Sequence, residues 1–190
     1  MKVLQNHATR LFILLLFVMI LSSCGSSLMM QTQRIQQPED QYALVIFVRP
    51  SVFGGAIQFG LWDSENLIGI LSAKSYVQYL AEPGEHIFLG RAENWSYVKA
   101  NLEAGKKYYI LGKVFPGVWK ARVALEPITK NGDVTDQQLK EWLDNLAPTT
   151  MIPDKRTAYA KPRIKQVNQA VGDLQAGKVK YLTMEADDYR

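Results

Sequence analysis

His86 and Cys24 are the side chains with the most chemistry to offer, because the 190 residues hold only two histidines and one cysteine. His7 stands near the start, so a Ser-His-Asp triad would have to use His86 as its general base. His86 follows a Pro83-Gly84 turn, where capping or packing on a hairpin is the expected duty. Zinc and copper sites draw several ligands from His and Cys, more than this chain supplies. Asn131 to Asp136 and Asp63 to Asn66 carry carboxylates, but neither has EF-hand spacing, and turn and cap roles explain both. Gly54-Gly55 lacks the context of a nucleotide loop. A glycosidase carboxylate pair depends on spacing in space, and nothing in the sequence recommends one. The expectation is a non-enzymatic protein without metal or cofactor.

A second candidate is electrostatic. Lys106, Lys107, Lys113, Lys120 and Arg122 fall on or beside two late strands, with Trp95, Tyr97 and Tyr109 near them in sequence. As a binding patch, Lys107, Tyr109, Lys113, Lys120 and Arg122 would suit an anionic sugar polymer, a lipid headgroup or an acidic partner. The plainer reading, which we favour, is that lysines on exposed strands prevent edge-to-edge pairing. Net charge is +4; without Lys2 and Arg10, 20 of the 22 basic residues face 18 acidic ones, leaving +2. That balance argues against a nucleic-acid partner.

The start of the chain reads as an address. Lys2 and Arg10 precede an unbroken apolar run, Leu11 to Leu21, with no acidic residue before it. The run fits a signal-peptide core and is too short to span a bilayer. Leu21, Ser22, Ser23 and Cys24 follow. This tetrad resembles the lipobox of bacterial lipoproteins. The resemblance implies cleavage after residue 23, acylation of Cys24 and attachment to a membrane through the lipid. Several acyl chains exceed what stable anchoring requires. Gly25 stands where an Asp would favour inner-membrane retention, so the resemblance implies the periplasmic leaflet of the outer membrane. Residues 24–40, rich in Ser and Gln, are then expected to be the acylated Cys and a flexible tether.

From residue 41 to 128 the texture is that of short strands. Tyr42–Arg49 is an apolar, β-branched run stopped by Pro50. Pro50–Gly55 reads as a loop. Ala56–Trp62, Leu67–Leu71, Ser75–Leu80, His86–Arg91, Tyr97–Leu102, Lys107–Phe115 and Val118–Pro127 follow, separated by turn residues. About eight strands with no helix between them predict an antiparallel β-sandwich, Ig-like or prealbumin-like, each sheet with one wet face. Residues 129–190 predict a helical tail with a linker. Thr135 and Gln138 form a capping box, and Leu139, Trp142, Leu143 and Leu146 make a stripe expected to dock on the sandwich with Trp142 as anchor. Pro148 closes that helix, 149–163 reads as linker, and Ile164, Val167, Val171 and Leu174 outline a second helix ended near Gly177. Glu185–Asp188 is expected to fray.

An aliphatic strand ending in Arg49-Pro50, an Ile68-Gly69 segment, the Pro83-Gly84-x-His86 turn and a Leu102-x-Ala104-Gly105-Lys106-x-Tyr108-Tyr109 hairpin occur in that order. Over about residues 42–128 this order resembles a family of small bacterial envelope lipoproteins that form a domain of unknown function. The family implies a β-sandwich behind a lipid anchor and no assigned activity. The functional expectation is an outer-membrane lipoprotein that binds or supports another cell-envelope component. The alternative is a periplasmic sensor or carrier of a small ligand, held in a cleft between sandwich and tail helices.

Overall fold

The computed structural model describes residues 27–117 and 121–190. It is mainly β, 42% strand against 19% helix, built as two mixed sheets with three helices. In chain order the elements are β1 (Met29–Gln31), β2 (Ala43–Arg49), β3 (Phe59–Asp63), β4 (Asn66–Leu71), β5 (Ser75–Ala81), β6 (Gly84–Arg91), β7 (Trp95–Leu102), β8 (Lys107–Phe115) and β9 (Arg122–Pro127). Helix α1 (Asp136–Asn145), β10 (Ala147–Met151), α2 (Pro153–Ala160), α3 (Ile164–Gln175) and β11 (Leu182–Met184) complete them. Sheet A runs β1-β10-β5-β2-β8-β9 and sheet B runs β11-β7-β6-β3-β4.

The inner faces of the two sheets share one core. Val45 and Phe47 of β2, Tyr108 and Ile110 of β8, Phe88 of β6 and Val98 of β7 all belong to it. The other face of β2 is also covered. Leu44, Ile46 and Val48 pack with Leu139, Leu143 and Leu146 of α1. This two-sided burial explains why β2 reads as an unbroken apolar run, the pattern of a strand covered on both faces. Sheet B is covered in the same way: Trp62, Leu89 and Tyr97 pack with Val167, Ala170 and Leu174 of α3. The expected wet face of each sheet is therefore largely occupied by helices.

The expectation of an all-antiparallel sandwich is corrected. β2 pairs parallel with β8, β10 parallel with β5, and β11 parallel with β7. Alternation of apolar residues reports which face a side chain takes, not which strand lies next to it, so the parallel pairs left no mark in the pattern. The tail differs too. Residues expected as linker form β10 and α2, and Pro153 occupies the first turn of α2, where its missing N–H is harmless. The N-cap half of the expected capping box is present, Gln138 N–H donating to Thr135 Oγ1 at 3.1 Å. Helix α1 docks through Leu139, Leu143 and Leu146, while Trp142 is only partly buried; the leucines are the anchors, not the tryptophan.

Residues 27–40, expected as a flexible tether, form a strap along sheet A. β1 pairs with β10, Gln78 accepts from Ile35 N–H and donates to the Gln33 carbonyl, and Arg34 meets Asp144 at 2.9 Å. The expected frayed end is pinned as well. Tyr108 donates to the Ala186 carbonyl at 2.8 Å, and Arg190 meets Asp136 at 2.7 Å. Among the described residues no helix is long and apolar enough to cross a membrane.

Candidate functional site at the open end of the sandwich

His86 sits where β3, β5 and β6 converge. Its Nδ1 is 2.7 Å from Asp63 Oδ2, and its Nε2 is 2.8 Å from the Glu82 carbonyl. Tyr79 donates to the same Asp63 oxygen at 2.9 Å. A carboxylate and a carbonyl both accept, so the geometry asks both ring nitrogens to carry protons. The Asp63 hydrogen bond chiefly holds the imidazole pKa above its ordinary value, against burial, which lowers it. Burial, and then Asp63, push the Tyr79 pKa up. An imidazole with both nitrogens engaged has no lone pair for proton abstraction. The cluster joins three strands and the turn before β6; it is an internal lock. Among the described residues no three His, Cys, Asp or Glu side chains converge as a metal site.

The basic and aromatic residues do not form one patch. Lys107 and Lys113 lie six residues apart on β8, about 20 Å at strand rise. Lys107 donates to the Gln36 carbonyl, and burial lowers its pKa. Tyr109 is buried beneath α1, which raises its pKa. Lys113 is paired with Glu126, while Arg122 is exposed at the start of β9. Lys120 lies outside the described residues, as do Leu21, Ser22, Ser23 and Cys24.

The opposite end from His86 carries a feature that sequence reading passed over. Arg49 is fully buried at the end of β2. It follows Ala43, Val45 and Phe47 on the strand face that packs against sheet B. Among the described residues no carboxylate meets it. Its guanidinium donates to three backbone carbonyls of the following loop: Phe53 at 3.0 Å, Gly54 at 2.8 Å, and Ile57. It lies 5.9 Å from the Phe59 ring centroid, and burial lowers its pKa. The loop closes on itself through Ile57 N–H donating to the Gly54 carbonyl at 2.8 Å. Gly54 takes φ of 61°, and a Cβ there would come within 2.9 Å of Val114 Cγ1, so only glycine lets the loop seat against the end of β8.

Held this way, the loop turns Val52 (68% exposed) and Phe53 (55% exposed) into water, beside the end of β8 where Phe115 is 43% exposed. The sequence signal was present: an apolar pair inside turn residues, directly after an arginine that ends a core strand. On composition alone Pro50–Gly55 reads as a loop.

The two ends of the molecule are distinct. Ser75 pairs with Arg49, Ala147 with Ser75, and Met29 with Met151. The chain therefore enters β1 from the Ala43 end of sheet A, whereas the Val52–Phe53 loop lies beyond the Arg49 end. No protein-family model, curated protein or solved structure matches the chain, so the candidate site rests on its own geometry.

Proposed function

We propose that this chain is a lipid-anchored outer-membrane lipoprotein, non-enzymatic and facing the periplasm, that binds another envelope protein through the loop tip at Val52 and Phe53. The observation that carries the reading is the Arg49-held loop. Desolvating a guanidinium costs several kcal/mol, and three loop carbonyls offset part of that cost. The loop so fixed exposes two large apolar side chains, each worth about 1.5–3 kcal/mol if covered. A rigid apolar tip suits an apolar seat on a partner better than an anionic polymer, since the expected basic patch is divided between the two ends.

The Leu21-Ser22-Ser23-Cys24 lipobox supports the anchor, and Gly25 supports the outer membrane. Entry of the chain at the end opposite the tip supports a module that holds its binding loop away from its own leaflet. The strand order supports the prealbumin-like form of the sandwich: β2 lies between β5 and β8, unlike the immunoglobulin order, where the first two strands are neighbours.

The test is a pull-down from solubilised outer membrane with the full, acylated chain. Wild type is expected to recover a defined protein partner, and Val52→Ser with Phe53→Ser is expected to lose it while melting like wild type. Equal recovery by the double variant would refute the tip as the binding surface.

A further inference from the structure

We propose that the cleft between the outer face of sheet B and helices α2 and α3 is a binding site for a phosphomonoester. The site lies apart from Val52 and Phe53, although Gln58 at the end of the same loop lines it, and it does not rest on the loop-tip reading. Gly60 pairs with Arg91 across β3 and β6, and Arg91 pairs with Trp95 across β6 and β7. Residues directly opposite share a face, so Gly60, Trp62, Arg91 and Trp95 all present to the helical side. From that side come Tyr159 of α2, Arg163 from the turn between helices, and Gln166 of α3. Arg91, Tyr159, Arg163, Gln166 and Gln58 line a hollow of ≈ 510 Å³, with Gly60 and Trp62 behind its lining.

The chemistry of the hollow is one-sided. Two guanidiniums, two amides and a phenol line it, and no carboxylate does; Glu93 lines the adjoining hollow. Among the described residues neither Arg91 nor Arg163 is in a salt bridge. Each guanidinium is steadied by an aromatic ring instead, Arg91 at 5.0 Å from Trp95 and Arg163 at 3.9 Å from Tyr159. Arg163 also donates to the Tyr159 carbonyl at 2.8 Å. Two like charges facing one hollow repel, and an anion between them reverses the sign of that interaction. Guanidinium forks match the oxygens of a phosphate, and two of them match its double charge.

A buried donor lies close to the hollow, with Tyr159 as the shared neighbour. Trp62 is 1% exposed, and its indole N–H has no acceptor. A Cβ on Gly60 would lie 3.1 Å from both Trp62 Nε1 and the Tyr159 hydroxyl. Gly60 thus leaves a notch with an N–H donor on one side and the cleft's phenol on the other. An orphaned buried donor is uncommon in native proteins, and this one neighbours Tyr159, which does line the hollow. The hollow is open to solvent, which leaves an outlet for the esterified group of a phosphomonoester.

The experiment is calorimetric titration of the full chain in non-ionic detergent with three probes: inorganic phosphate, glycerol 3-phosphate, and dihexanoyl phosphatidic acid kept monomeric. Saturable one-to-one binding is expected for at least one ester. Preference for glycerol 3-phosphate assigns a soluble ligand, and preference for the lipid assigns a headgroup. Arg91→Gln and Arg163→Gln should each weaken binding about tenfold through loss of charge-assisted hydrogen bonds, and Arg122→Gln should leave it unchanged. The Trp62 indole N–H resonance, assigned with Trp62→Phe, should shift on titration of the wild type. Failure to saturate with every probe would overturn the proposal. So would binding undiminished in folded Arg91→Gln and Arg163→Gln.

Discussion

Two basic side chains, His86 half-buried and Arg49 buried, sit at opposite ends of the sandwich, and they are held in opposite ways. His86 faces a carboxylate, Asp63, that Tyr79 also binds. Arg49 faces only carbonyl dipoles from a single loop. The first arrangement joins strands already packed together and ties its charge to a group that titrates near neutrality. The second shapes a segment that would otherwise lack a fixed form, and a guanidinium keeps its charge at any ordinary pH. The difference separates a lock from a scaffold. The end held by His86 buries the Asp63 carboxylate at the centre of its lock, whereas the end held by Arg49 leaves Val52 and Phe53 in water.

Substitutions can break this contrast at each level. Arg49→Leu should have the largest effect. The Phe53 and Ile57 carbonyls lose their donor while Gly54 keeps the Ile57 N–H; each loss costs roughly 1–3 kcal/mol and relief of guanidinium desolvation offsets part of it, for a net loss of about 3 kcal/mol. Urea melts measure the loss, and limited proteolysis should show new cutting at residues 50–58. Asp63→Asn should cost less, about 1.5–3 kcal/mol, because it keeps the shape and forfeits charge-assisted hydrogen bonds. It should leave the loop uncut.

The pH dependence sharpens the comparison further. The folded pKa of His86 is raised above its ordinary 6.5, so its stabilising contribution is full below about 6.5 and fades as pH rises through the folded value. Melts across that range should show wild type losing stability with rising pH, with His86→Gln flattening the slope and Arg49→Leu retaining it. The smallest effect belongs to the loop tip. Val52→Ser with Phe53→Ser should change stability within about 0.5 kcal/mol per site, the usual range for exposed positions.

Strands β2 to β9 were legible because alternation or an unbroken apolar run marked nearly every one of them. α1 was legible because Thr135 caps it and its leucines recur at helical spacing. β1, β10 and β11 were not, since segments of three to five residues show too few repeats to establish a period. Residues 27–36 read as a tether because Ser and Gln dominate, yet Gln78 of β5 supplies the hydrogen bonds that fix them. That partner lies more than forty residues away, where local composition is silent. Trp142 looked like an anchor from its size; the smaller leucines beside it turn further into sheet A. The Arg49 loop and the His86 lock share one cause of illegibility. Asp63 and His86 stand 23 residues apart, and the partners of Arg49 are backbone atoms, which leave no side-chain signature.

We propose the Arg49-shaped loop as a binding tip on a lipid-anchored module. Its most direct test is a photoreactive amino acid placed at position 52 of the acylated chain in native membranes, with position 169 on the exposed side of α3 as control. The expected result is an adduct with one envelope protein from position 52, absent from position 169 and abolished by Arg49→Leu. No adduct from position 52, or the same adducts from both positions, would contradict it.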